Sequence, residues 1–224
     1  MKHRKILLVL FLTLALTACT QLTAAPERTQ AAVENSLYPT PAATLPELML
    51  GLSSDVPLVR VVSTDALEEY GDDASVAVPL LRNNLYYEGF SDVRRSAAIA
   101  LGRLGKLAKD AVSDLISVVE KDTAPGVVYA AIDALGLIGD SSVVPRLAAL
   151  LYCDGTSPRH YYSIESCQSV AVHSAEAISL LTGEQFTDAG AAGYSVSEDG
   201  TPLILIDARK WWEEEGQYQD WSAP

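Results

Sequence analysis

Val93-Arg94-Arg95-Ser96-Ala97-Ala98-Ile99-Ala100-Leu101-Gly102-Arg103-Leu104-Gly105 decides the fold, because the chain contains it more than once. Val127-Val128-Tyr129-Ala130-Ala131-Ile132-Asp133-Ala134-Leu135-Gly136-Leu137-Ile138-Gly139 is a later copy, and Val59 to Gly71 an earlier one. The starts at Val59, Val93 and Val127 are evenly spaced by about 34 residues, a period that marks a solenoid. A fourth copy, Val170 to Thr182, starts late for that period and so has an insertion ahead of it. Val59, Val93, Val127 and Val170 open an apolar stripe that Leu67, Leu101, Leu135 and Ile178 continue and Tyr70, Leu104, Ile138 and Leu181 close. That spacing is helical. Ala66, Ala100, Ala134 and Ala177 keep one position small, so that neighbouring helices can approach closely. Gly71, Gly105 and Gly139 stop the first three copies, and in the fourth the stop falls at Gly183. After each of the first three stops comes a second apolar stretch, beginning at Val78, Val112 and Val144, with prolines at 79 and 145 where a first helical turn tolerates them. Helix, turn, helix at this period is an α-solenoid.

The pattern Val-Arg-x-x-Ala-x-x-Ala-Leu-Gly-x-Leu/Ile-Gly resembles HEAT-like repeats of the phycobilisome lyase type. The resemblance covers 45–183, with Leu45 to Leu52 similar to the second helix of a truncated preceding repeat. Val128 departs from the arginine of the first two copies, and His173 replaces a small residue in the fourth. The resemblance implies an all-α stack of about three and a half helix pairs whose second helices line the inner face. It also implies an interaction scaffold, or alternatively a bilin-handling, lyase-like protein or tetrapyrrole chaperone.

The chain opens Met-Lys-His-Arg-Lys and runs without a charge from Ile6 to Ala18. A basic segment followed by a short apolar one is the plan of a secretory signal peptide, and the run is short for a bilayer span. Leu16-Thr17-Ala18-Cys19 resembles the lipobox of bacterial lipoproteins. This implies diacylglycerol on the Cys19 thiol, cleavage before Cys19 and acylation of the new amino terminus. Several acyl chains anchor stably where one does not, at ~0.8 kcal/mol per buried CH₂. Residues 19–44 then read as the lipidated cysteine and a tether, since Ala, Thr and Pro make up more than half of the stretch from Thr20 to Thr44. The expected address is outside the cytoplasm, on the cell membrane or the outer membrane. Loss of Lys2, Arg4 and Lys5 takes the net charge from −13 to −16. An acidic surface of that size excludes nucleic acid, which needs a basic footprint.

Beyond the repeats, 184–224 reads as a small β-hairpin about Glu198-Asp199-Gly200, running from Tyr194 to Ile206, then a helical cap bearing Trp211 and Trp212. Asp207 is the expected cap of that last helix. Catalytic and metal motifs are not found: no Gly-x-Ser-x-Gly, phosphate loop, Cys-x-x-Cys or His-Glu-x-x-His occurs. The expectation is therefore a non-enzyme without cofactor or metal site, binding other envelope proteins. Two surfaces are candidates: the inner face through Asn84, Tyr87, Arg146 and Tyr152, and the insertion loop through Arg159, His160, Tyr161 and Tyr162. Tyrosine and arginine are enriched at interface hot spots. Cys153 and Cys167 flank the insertion. With Cys19 consumed by lipid and the chain exported, they are expected to form a disulfide.

Overall fold

Each repeat copy becomes a first helix, and these helices stack in register. The structure, a computed structural model, describes residues 43–87, 89–153, 164–190 and 193–222. The leader, Cys19 and the tether up to residue 42 lie outside the described residues.

Helix α1 (Leu45–Leu52) opens the stack, with Thr44 and Glu47 forming a reciprocal capping box at its start. The first helices are α2 (Pro57–Ala66), α4 (Ser91–Leu104), α6 (Pro125–Ile138) and α8 (Ile164–Thr182). The second helices are α3 (Val78–Asn84), α5 (Val112–Lys121) and α7 (Val144–Leu150), reached through short 3-10 segments. The valine and leucine columns lie in the core, and Ala134 and Ala177 are buried beside them. Gly139 ends α6 in the left-handed region at φ 81°, where a Cβ would be strained.

First helices stack directly, α4 on α6 and α6 on α8. Two glycines permit it. A Cβ on Gly102 would lie 2.9 Å from the Ala134 Cα, and one on Gly136 would lie 2.9 Å from the Ala177 Cα. In the first copy Glu68 occupies that column, and there a cavity of about 240 Å³ remains between Leu67, Leu81, Ala100 and Leu104. The Glu68 carboxylate pairs with Arg103 at its edge, at 2.5 Å. Second helices lean instead on the first helix of the following repeat: α3 on α4, α5 on α6, α7 on α8.

The expected hairpin is corrected. It shrinks to one bridge, Val196 with Pro202, around the turn at 197–200. The apolar run after Pro202 is instead the start of α9 (Leu203–Glu214). Ile204, Leu205, Ala208 and Trp211 fall on one helical face, and all four are buried, which alternation along a strand could not achieve. Asp207 is consequently inside the helix and not its cap, accepting a hydrogen bond from the Thr187 backbone N–H at 3.0 Å. Trp211 packs on Phe186, Trp212 and Trp221, closing the end of the stack. Helix α9 also reaches α7, because Arg209 donates to the Leu151 carbonyl at 2.8 Å and Tyr152 donates to Glu213 at 2.9 Å. Touching both α8 and the end of α7, it stands in as the second helix of the fourth repeat.

Candidate interaction surfaces

On the second-helix face, charged side chains bridge successive repeats. Arg82 on α3 reaches Asp114 on α5 at 2.5 Å, and Tyr86 donates to the same carboxylate at 3.0 Å. Glu120 on α5 pairs with Arg146 on α7 at 2.6 Å. Between α5 and α7, which diverge because each leans on a different first helix, runs a trough of about 510 Å³. Its floor is Val119, Leu135, Val143 and Leu147, its walls include Ile116 and Leu150, and its rim carries Glu120, Lys121 and Arg146. An apolar floor with a movable ion pair at the rim suits an apolar side chain flanked by polar ones.

The four residues expected to face a partner here fare differently. Arg146 is on the rim, its side chain 63% exposed. Tyr152 is 44% exposed but committed to α9, with the Arg209 guanidinium over its ring at 5.7 Å. Its hydroxyl pKa is raised by burial and by the Glu213 carboxylate it donates to. Asn84 is corrected: it is fully buried, because its helical spacing from Leu81 turns it inward beside that core leucine. It accepts from the Arg60 guanidinium at 2.5 Å and donates to the Leu52 carbonyl at 3.2 Å. Tyr87 is half-buried, with Arg60 at 4.3 Å over its ring and its hydroxyl on the Asp55 carbonyl at 3.3 Å. Arg159, His160, Tyr161 and Tyr162 lie outside the described residues. The two cysteines bracketing them are within bonding distance, with Cα atoms 5.3 Å apart.

The first-helix face carries an arrangement that no linear motif in the sequence marks. Asp133 on α6 meets the His173 Nδ1 on α8 at 2.7 Å, and Glu176 lies one turn beyond His173. The Tyr129 ring stacks on the imidazole, centroids 4.8 Å apart and nearly parallel. Tyr194 donates to Glu176 at 2.8 Å. Burial lowers the imidazole pKa, but the hydrogen bond to Asp133 and the charges of Asp133 and Glu176 outweigh it and lift it above the ordinary 6.5. The Tyr194 hydroxyl is pushed up to about 12, by burial first and then by Glu176. Donors drawn from two separate helices form no local motif. Their repeat columns do disclose them: Asp65, Ile99, Asp133 and Glu176 share one position, and Val62, Ser96, Ala130 and His173 share another.

The sequence profile of HEAT repeats matches residues 78–160, from α3 through α7 and into the insertion. The chain carries HEAT-like repeats. No curated protein matches it. HEAT repeats generally mediate protein–protein interaction.

Proposed function

We propose that this chain is a non-catalytic protein–protein interaction module, tethered by lipid on Cys19 to a bacterial membrane and presenting its HEAT-like stack to the periplasm or the exterior. The trough between α5 and α7 carries this reading, because among the described residues nothing covers its apolar floor while charged side chains rim it. Its occupant is a segment of another envelope protein that sets an apolar side chain between Ile116 and Leu150 and engages the Glu120–Arg146 pair. The lipid anchor rests on the basic leader, the short apolar run and the box ending at Cys19. Among the described residues no helix is long and apolar enough to cross a membrane.

A photo-crosslinking residue at exposed Ala149 tests the proposal in intact cells. One discrete adduct is expected, lost when Leu150→Glu and Arg146→Glu are combined. An unchanged adduct in that variant overturns the trough and moves the search to the insertion loop. A visible absorbance band in protein purified from its own membrane would replace this reading with tetrapyrrole handling.

A further inference from the structure

We propose that Asp133, His173 and Glu176 form a binding site for one divalent transition ion of the Zn²⁺ class. One donor atom from each, an imidazole nitrogen and two carboxylate oxygens, lies within 4.8 Å of the others, and all three side chains are partly buried. The repeat explains how they meet. Asp133 and Glu176 occupy the same column of adjacent copies, so stacking α6 on α8 sets two carboxylates side by side. Like charges so placed repel unless a positive charge sits beside them, and the group that meets Asp133 there is the His173 imidazole, at 2.7 Å. Among the described residues, no lysine or arginine forms an ion pair with either carboxylate. Arg95 and Arg103 line the same groove but pair with Asp92 and Glu68. At the point between the two carboxylates, the fourth copy has exchanged the small residue of its column for His173.

The surroundings are those of ligands held in place. Tyr129 stacks on the imidazole and so limits rotation of its plane, and its hydroxyl donates to the Ser166 carbonyl at 3.4 Å. Tyr194 donates to one oxygen of Glu176, which orients that carboxylate as an outer hydrogen-bond partner does in metal sites. A mixed nitrogen and oxygen donor set selects Zn²⁺ over Mg²⁺, since imidazole suits borderline ions while Mg²⁺ prefers oxygen alone. Binding replaces the Asp133–His173 hydrogen bond by two metal bonds; the imidazolium releases its Nδ1 proton to solvent and keeps the one on Nε2, so the neutral imidazole is the ligand. Three protein ligands leave a position for water, and the ion joins the third repeat to the fourth.

Titration calorimetry and thermal melting of the tag-free mature protein, metal-depleted and without reductant so that Cys153 and Cys167 stay paired, test the proposal. Zn²⁺ is expected to bind saturably at one ion per chain and to raise Tm, with excess Mg²⁺ failing to compete. His173→Ala should abolish the binding, and Tyr194→Phe should weaken it by about tenfold. Glu176→Gln keeps size and shape and decides the matter if the histidine variant fails to fold; it too should abolish the Tm rise. His160→Ala should bind as the wild type does. Absence of saturable binding, or binding that survives Glu176→Gln, or loss of binding in His160→Ala, overturns the site.

Discussion

Arg94 holds the Asp122 carboxylate through two hydrogen bonds, at 2.6 and 3.1 Å, with the side chains 16% and 7% exposed. A third bond runs to the Tyr87 carbonyl at 3.1 Å, so one residue fixes the start of α4 to the ends of α3 and α5. The same column holds Arg60, whose guanidinium bonds the Leu52 and Ser54 carbonyls, and then Val128, which is fully buried and supports its repeat by apolar contact instead. Removing Arg94 leaves Asp122 charged with its main partner gone. Arg94→Ala should cost about 3 kcal/mol, read from the midpoint of urea unfolding. Gly136 makes the opposite test of sign. In an exposed helix interior Gly→Ala gains about 0.5–1 kcal/mol. Here the new methyl meets the Ala177 backbone at 2.9 Å, so Gly136→Ala should destabilise by about 1–3 kcal/mol, seen as a lower Tm.

At the scale of elements, the ends of α7 are controlled separately. Its approach is set by Asp140, which accepts from the Ser142 N–H at 3.1 Å and from the Ser142 hydroxyl at 2.6 Å. The Ser142 hydroxyl, then its backbone N–H and the charge of Lys109, hold the Asp140 pKa below its ordinary 3.8 against some burial. A depressed carboxylate pKa contributes stability above the unfolded value, lost as pH falls through the folded one. Asp140→Ala should therefore cost about 1 kcal/mol at neutral pH. The gap between variant and wild type should close below pH 3.8, followed by thermal melts across an acid series. At the other end of α7, Cys153 comes within bonding distance of Cys167, near the start of α8. Closing a loop of this length is worth about 3 kcal/mol in the chain-entropy model, so Cys153→Ser with Cys167→Ser should lower Tm. Two thiols that alkylate in the unreduced, denatured protein would show the bond absent in solution.

At the scale of the molecule, the repeats form a one-dimensional stack whose open ends must be covered. Helix α1 covers one end; at the other, α9 completes the fourth pair and buries Trp211 against Phe186. The proposed tether precedes α1, so lipid on Cys19 would hold the stack at a membrane by its first repeat. Cys19→Ala should shift the protein from the detergent phase to the aqueous phase in a partitioning assay. Unchanged partitioning and mass would remove the anchor from the proposal and leave the stack as described.

The sequence by itself determined the stack. Valine, leucine, alanine and glycine recur at one period because each first helix must bury the same stripe against the next, and that constraint is local enough to be written in register. It also placed Cys153 and Cys167 at the ends of packed elements, and left Arg146 out of the apolar stripe of its helix. What only the tertiary structure decided are relations across repeats and at the end of the stack. Asn84 has the composition of a surface residue, yet Arg60 and the Leu52 carbonyl satisfy it inside. The run after Pro202 reads as a strand beside Asp199-Gly200, but becomes a helix that buries Ile204, Leu205, Ala208 and Trp211 together at the end of the stack. Asp133 and His173 are far apart in the chain and 2.7 Å apart in space. Stacking brings equal columns together, and a chemical site then arises between residues that no linear motif connects.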